Sequence, residues 1–251
     1  MFNMDNKKRL DLLLFEKHLL KSRSAAKALI EGGKVKVNGK TITKANTLVN
    51  LEDSVEIQER MKYVSRAGLK LEKAIHEFGI DFENKVVLDI GASTGGFTDC
   101  ALQHGAKLVY ALDVGYDQLD KSLVDNKRVV NIEKTNVKNL QQVHFDQSID
   151  IIVCDVSFIS LKHVFMNIKH ITNEATTLIF LIKPQFELSP EIVSKFNASI
   201  KDKKYHDIAI NKVKTYALEN GFSITNIVES PIKGNKLQNT EFIAEFKKWK
   251  K

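Results

Sequence analysis

The chain has 251 residues, 43% hydrophobic and 27% charged, with 12 Gly and 3 Pro. That length supports one to two domains of roughly 100–200 residues each, and the composition excludes a collagen-like, linker-dominated or largely disordered chain. The net charge is +7, from 38 Lys+Arg against 31 Asp+Glu, and its placement says more than its size.

The opening residues, MFNMDNKKRLDLLLFEKH, put Asp and several Lys ahead of a short apolar run that ends at Glu16. A signal peptide has a different order, so export is not expected. Apolar runs such as Leu178 to Ile182 fall far short of the ~18–20 residues that cross a bilayer. Cys100 and Cys154 lack CxxC spacing and suit buried thiols in a reducing cytoplasm. The seven His stand at no zinc-ligand spacing with a Cys or another His, so no metal site is expected.

Between Arg9 and Lys44, nine cations face three acids, an excess of +6 in 36 residues, while the rest of the chain is nearly balanced. A charge concentrated in this way is expected of a surface that meets a polyanion. Leu10, Leu13, Leu14, Leu19 and Leu20 fall at roughly helical spacing. Ser22 is placed to cap a second helix, Arg23 to about Glu31, closed by Gly32-Gly33. Val35 and Val37 then alternate with lysines, Asn38-Gly39 is a hairpin-turn pair, and Val55 and Ile57 read as a closing strand. The pattern RLD, SR-xx-A-xx-LI-xx-G, V-VNG and D-VEI resembles the small αL RNA-binding domain of ribosomal small-subunit protein four and of many RNA-modifying enzymes. The resemblance implies an α+β RNA-binding domain over residues 1–59, with Arg9, Lys21, Arg23, Lys27, Lys34, Lys36 and Lys40 as its RNA contacts. The plainer alternative is a lysine-rich solvated surface.

A basic link at 60–65 precedes a helix from about Arg66 to Phe78. Val86 to Ile90 reads as a buried strand, GASTGG as a tight turn, and Phe97 to His104 as a helix. The alternation continues with a strand Leu108 to Asp113, a helix near Asp117 to Val124, and strands Val129 to Ile132 and Ile149 to Cys154. A helix Ser160 to His170, a strand Thr177 to Ile182 and a long helix from about Asp202 to Glu219 follow. The strands Ser223 to Glu229 and Glu241 to Phe246 can pair as an antiparallel edge. The order implies an α/β domain over residues 66–251 with a mostly parallel, Rossmann-like sheet and helices on both faces.

Such a sheet binds ligands at the carboxyl ends of its strands. Asp89, Asp113 and Asp155 are read as closing the first, second and fourth strands there. GASTGG is not GxGxxG, because Ser93 stands where the second glycine belongs, which weighs against a dinucleotide. Asp113, 24 positions past Asp89, still suits a ribose diol. Adenosine without a pyrophosphate fits better, and S-adenosyl-L-methionine is the common cofactor of that kind.

YVSRAGLKL, LDIGASTGGFTDC, YALDVG, CDVSFISL, IKPQFE and NTEF together resemble the FtsJ-like ribose methyltransferases. The likeness is to the TlyA-type rRNA methyltransferases, a group that has also carried the label hemolysin and that sets an αL domain ahead of the methyltransferase. The resemblance implies 2'-O-methylation of ribosomal RNA, alone or in ribosomal subunits, with S-adenosyl-L-methionine as cofactor. It also implies a catalytic tetrad of Lys70, Asp155, Lys183 and Glu241. A ribose 2'-hydroxyl is a poor nucleophile that must lose its proton as it attacks. Lys183 is the expected base, its pKa lowered by burial and by the Lys70 charge. Asp155 would orient the amine, while Lys70 and Glu241 would fix the ribose.

The resemblance further implies cofactor contacts from Asp89, Gly91, Ala92, Ser93, Thr94, Gly95, Gly96 and Phe97, with Asp113 on the ribose and Asn136 near adenine. Taken singly, Phe97 reads equally as core, Asp155 as a turn residue, and Lys70 as a lysine snorkelling from an amphipathic helix. One position departs from the family pattern, since Gln238 in KLQNTEF stands where a glycine is usual. The competing functions are a non-catalytic ribosome-assembly factor and a membrane-lytic protein. Retention of the tetrad opposes the first, and the lack of membrane segments opposes the second.

Overall fold

The structure is a computed structural model that describes residues 7–17, 19, 22–57, 62–141, 145–234 and 237–249. The chain divides into two compact units, Met1–Met61 and Lys62–Lys251. Of the basic link, residues 60–61 lie outside the described residues, and Lys62–Ser65 belong to the second unit.

In the first unit, strand β1 (Lys7–Arg9) runs into helix α1 (Leu10–Glu16), followed by α2 (Arg23–Glu31), β2 (Val35–Val37), β3 (Lys40–Ile42), β4 (Leu48–Asn50) and β5 (Val55–Ile57). Strand β2 lies between β3 and β5, all antiparallel, and β1 pairs antiparallel with β4. Asn38 and Gly39 both take positive φ, 49° and 77°, the backbone that a two-residue hairpin turn requires. Leu10, Leu13 and Leu14 pack with Ala26, Ile30 and Val35 in one small core. Helix α1 stops at Glu16 and Leu19 is exposed, so the apolar spacing does not carry the helix to Leu20, which lies outside the described residues. Those three leucines lie on the face that α1 buries.

The second unit begins with α3 (Ala67–Phe78), β6 (Val86–Ile90), α4 (Gly96–Gln103), β7 (Leu108–Leu112), α5 (Lys121–Val124) and β8 (Val129–Ile132). It continues through β9 (Ile151–Cys154), α6 (Leu161–Ile168), β10 (Thr177–Ile182), α7 (Pro184–Glu187), α8 (Pro190–Lys195), α9 (Lys203–Glu219), β11 (Phe222–Glu229) and β12 (Phe242–Lys248). Seven strands form one sheet in the order β11-β12-β10-β9-β6-β7-β8. β8, β7, β6, β9 and β10 run parallel, and β12 is antiparallel to both of its neighbours.

Strand alternation sorts this sheet's apolar residues between two faces. Leu88, Tyr110, Ile152, Leu178 and Phe180 share a cluster with Val164 and Phe165 of α6 and Val213 of α9. Val87, Val109, Val153 and Ile179 share the other with Leu71 of α3 and Cys100 of α4. Phe165 anchors the first cluster, its ring 5.1–5.8 Å from those of Phe180, Phe222 and Phe246.

Several boundaries differ from the sequence reading. Asp89 sits inside β6 and Ile90 closes that strand. The helix expected from Asp117 begins only at Lys121, because Asp117 takes φ 53° and Asp120 caps the helix by accepting from the Ser122 N–H. The unforeseen short helices α7 and α8 each start on a proline, whose fixed φ and missing N–H suit a first helical position. Among the described residues no helix is long and apolar enough to cross a membrane.

Candidate active site and basic groove

Sheet order reverses between β6 and β9, the switch point where open parallel sheets bind ligands. A Cβ on Gly91, just past β6, would lie 3.0 Å from the Asp155 carbonyl oxygen, just past β9. The two strand ends therefore meet backbone to backbone.

Here the fold brings together all four residues of the expected tetrad. Asp155 follows β9, Lys183 follows β10, Glu241 precedes β12 and Lys70 comes from α3. Lys183 Nζ lies 2.6 Å from Asp155 Oδ1, an ion pair without hydrogen-bond angles, and donates to Ser157 Oγ at 2.9 Å. Lys70 Nζ donates to Glu241 Oε2 at 2.7 Å and to Asp155 Oδ2 at 3.3 Å. Lys70, Lys183 and Glu241 are buried. Two ammoniums and two carboxylates thus alternate through a cluster with no net formal charge, which is how buried charges are tolerated.

Burial alone would push the Asp155 carboxyl up, but the flanking Lys183 and Lys70 outweigh it and hold it below the usual carboxylate range. Burial likewise works against the Lys70 ammonium, and Asp155 and Glu241 more than reverse it, holding Lys70 above the usual lysine range. Lys70 is therefore a fixed cation rather than a proton acceptor.

The loop between β6 and α4 is built on left-handed backbone. Gly91 and Gly95 have φ 83° and 92°, and a Cβ on Gly95 would overlap the Leu123 side chain. Ser93, without a glycine's freedom, also takes φ 48°, and its N–H is held by Asp113 Oδ2 at 2.8 Å. The other Asp113 oxygen accepts the Gly115 N–H at 2.7 Å, which leaves lone pairs on both oxygens. Ser93 and Thr94 are exposed, Ala92, Gly96 and Phe97 are buried, and the Phe97 ring is part of the α3–α4 core. Asp89 is fully buried, with one oxygen accepting from Thr98 Oγ1 at 2.7 Å and the other without a hydrogen-bond partner. Asn136 caps the turn at Val137–Asn139 by accepting the Lys138 N–H.

Sequence reasoning missed the segment that follows Asp155. Ser157 takes the Lys183 hydrogen bond, and Phe158 is 91% exposed with φ 64°, its ring 5.2 Å from that of Phe186. A large residue in left-handed backbone is costly and collects at functional sites, but nothing in the letters Ser-Phe announces it. Gln185, in the same motif as Lys183, has a buried oxygen without a hydrogen-bond partner. The fold also gathers Glu72, His76 and His104, whose ligand atoms lie within 4.8 Å of one another. The Glu72 carboxylate is already paired with Lys62, and His104 Nδ1 lies 2.8 Å from the Cys100 carbonyl oxygen.

In the first unit, Arg9, Arg23, Lys27 and Lys44 line one groove with Thr43 and Asn46. At its wall Asp11, 2% exposed, accepts both Nε and Nη2 of Arg9 at 3.0 Å and Nε of Arg23 at 3.1 Å. Burial opposes ionisation of Asp11, but the two guanidiniums prevail and hold its carboxyl low. Lys34 and Lys40 are exposed and Lys36 is half-buried opposite Glu56, and none of the three lines the groove. Lys21 lies outside the described residues.

A glycine loop and a strand-end acid at the switch point of a sheet with one antiparallel strand inserted near its edge match the class of S-adenosylmethionine-dependent methyltransferases. A solved methyltransferase of that class from Listeria monocytogenes has the same fold at 16% identity and TM-score 0.54, over 74% of this chain and all of that one. Residues 63–247 match the FtsJ-like methyltransferase family and residues 8–55 the S4 domain. The chain belongs to the FtsJ-like methyltransferase family. It is 45% identical to Hemolysin A of Brachyspira hyodysenteriae over 95% of this chain and 99% of that one. It is 34% identical to the 16S/23S rRNA (cytidine-2'-O)-methyltransferase TlyA of Mycobacterium tuberculosis, over 92% and 87%. A solved structure from Streptococcus thermophilus that carries the name hemolysin superposes with TM-score 0.74 at 36% identity, over 97% and 89%.

Proposed function

We propose that this chain transfers a methyl group from S-adenosylmethionine to a ribose 2'-hydroxyl of ribosomal RNA. The observation that carries this reading is the convergence of Lys70, Asp155, Lys183 and Glu241 at the end of β9. The FtsJ-like match and the relative that acts on cytidine 2'-hydroxyls in rRNA support it.

The residues at the strand ends fit the cofactor. Asp113 keeps acceptor capacity for a ribose diol, Ser93 and Thr94 of the glycine loop are exposed, and buried oxygens of Asp89 and Gln185 lack hydrogen-bond partners. Such orphans in a native interior call for a functional explanation. Asp113 and residues 91–95 would hold the nucleoside, with Asn136 on its adenine side. When bound, the cofactor supplies an electrophilic methyl on a sulfonium.

The remaining work belongs to this chain's residues. Lys183 Nζ is the base once its resting ammonium has given a proton to solvent, since Lys70 is held as an ammonium by two carboxylates. As Lys183 takes the hydroxyl proton its charge grows, and the ionised Asp155 beside it stabilises that charge. The interaction strengthens toward the transition state, as catalysis requires. Lys70 and Glu241 fix the ribose, and the exposed Phe158 ring offers a stacking face to its base. In the first unit, residues 1–59 act as the RNA-binding module, with Arg9, Arg23 and Lys27 on phosphates and Lys21, Lys34, Lys36 and Lys40 as further contacts. Placement accounts for much of the acceleration, since orientation alone is worth up to ~7–11 kcal/mol in well-aligned systems.

The test is transfer of labelled methyl from S-adenosylmethionine to ribosomal RNA by the full chain, followed by mapping of 2'-O-methyl sites. Label on ribose oxygens supports the reading. Label on a base, or RNA binding without transfer, overturns it.

A further inference from the structure

Glu187 is a buried carboxylate that the chemistry above does not use. It ends α7, four residues past Lys183, and touches no member of the tetrad among its hydrogen bonds. Its Oε2 accepts from Ser160 Oγ at 2.6 Å and its Oε1 accepts the Leu161 N–H at 2.9 Å. Ser160 caps α6 by accepting the Lys162 N–H at 3.2 Å. Glu187 therefore supplies, from a different element, a second cap to the amino end of α6, where free N–H groups and the helix dipole favour an anion. Lys212 of α9 donates to the Glu187 backbone carbonyl at 3.1 Å and brings a cation near.

These contacts close a ring. The segment from Asp155 to Ser160 carries Ser157, which receives Lys183, and Phe158, whose ring rests on Phe186 one residue before Glu187. One side of the ring is the Lys183–Ser157 hydrogen bond and the opposite side is the Glu187–Ser160–Leu161 strap. The φ of 64° at Phe158 is a strained conformation that persists only where its surroundings over-determine it, and the strap pins the far end of that segment.

The geometry points to Glu187 as a positioning residue that sets the Lys183 amine against Ser157 and Asp155 by tying the β9–α6 loop to the β10–α7 junction. Its catalytic consequence rests on the methyltransferase reading, while the strap itself does not. Three full-length variants test it. Glu187→Leu removes both acceptors at similar volume, Glu187→Gln keeps one acceptor and turns the other atom into a donor that Ser160 can accept, and Ser160→Ala cuts one arm, together with the Ser160 cap on the Lys162 N–H, without touching the tetrad. Glu187→Leu should lower kcat by about 10–100-fold with the KM for S-adenosylmethionine within about twofold. Glu187→Gln should recover most of kcat, and Ser160→Ala should add little to Glu187→Leu because both cut the same strap. If Glu187→Leu does not fold, Ser160→Ala alone should still show the split between kcat and KM.

Amide hydrogen exchange provides a readout free of turnover. Amides 157–162 should exchange faster in Glu187→Leu and Ser160→Ala than in the wild type, with those of α3 and β6 unchanged. If the wild type transfers no methyl yet these amides loosen, the functional reading fails and the strap stands. Unchanged exchange at 157–162, or kcat within twofold of an active wild type in Glu187→Leu, overturns the inference.

Discussion

The two units use the same cations in opposite ways. In the first, Arg9, Arg23 and Lys27 stand at a groove open to solvent, and a single buried acid, Asp11, aims two of them. In the second, Lys70 and Lys183 are buried and each is matched by carboxylates, so the site has no net formal charge. An exposed cation attracts a polyanion over a Debye length and is screened by salt. A buried, paired cation does neither, and works only on what reaches contact distance. Charge counting along a sequence therefore finds the first kind and is blind to the second.

The sharpest break between the two should come from Lys183→Ala. Methyl transfer should fall by about 10²–10⁴-fold, the range of a missing general base, with RNA affinity and its salt dependence nearly unchanged. Near-wild-type turnover would remove Lys183 from the role of base. Asp155→Asn should come next, lowering transfer on the order of 10²-fold and stability by about 3 kcal/mol, because it strands the buried Lys183 ammonium and leaves Lys70 with Glu241 alone. Urea denaturation beside the activity assay measures both, and a variant as stable as the wild type would mean that the cluster is less desolvated than its burial implies.

Effects in the first unit should be smaller and should respond to salt. Arg9→Ala with Arg23→Ala should weaken RNA binding roughly tenfold and lessen the salt slope by about 0.7–0.9 for each phosphate left without its arginine. The same pair should leave kcat at saturating RNA within about twofold of the wild type. Lys34→Ala with Lys36→Ala, which lie off the groove, should change affinity less. An equal weakening by both pairs would spread the RNA-binding surface over the hairpin as well as the groove.

The parts of the fold that rest on short-range rules were readable from the letters. The β-branched runs of β6, β9 and β10, the Asn38-Gly39 turn and the long helix α9 each follow from a local preference that packing did not override. The three-residue β1 and β4 show no alternation to read, and α7 and α8 are too short for helical periodicity. In the site, Asp155 and Lys183 were visible as polar residues ending apolar strands, whereas Lys70 and Glu241 were legible only through family resemblance. Their meeting at 2.7 Å spans 171 residues of chain, and no local pattern records it. Asp11 and Glu187 were missed for a related reason, since an acid that aims another side chain looks like any surface acid until its partners are placed. Gln238 makes the converse case. It stands where the family pattern has a glycine, and its φ is 54°, the left-handed backbone for which glycine is favoured.

The mildest prediction concerns a carboxylate that both readings of charge overlook, because Asp89 is neither exposed nor paired with a cation in any described contact. Its burial pushes the carboxyl up to about 7, with Asp155 and Asp113 adding to the shift and the Thr98 hydroxyl opposing it. The unfolded chain releases this proton near the ordinary value of 3.8, so between about pH 4 and 7 the folded state binds the proton and the unfolded state does not. The sign follows from linkage: stability falls with rising pH wherever the native state holds more protons, and the fall is complete once pH passes the folded value. Asp89→Asn keeps an acceptor for Thr98 and cannot ionise. Urea midpoints measured from pH 5 to 8 should therefore decline for the wild type relative to the variant, with the difference between the curves growing up to about pH 7 and levelling off above it. Parallel curves would show that Asp89 is ionised throughout, and hence that its second oxygen finds a partner in solution.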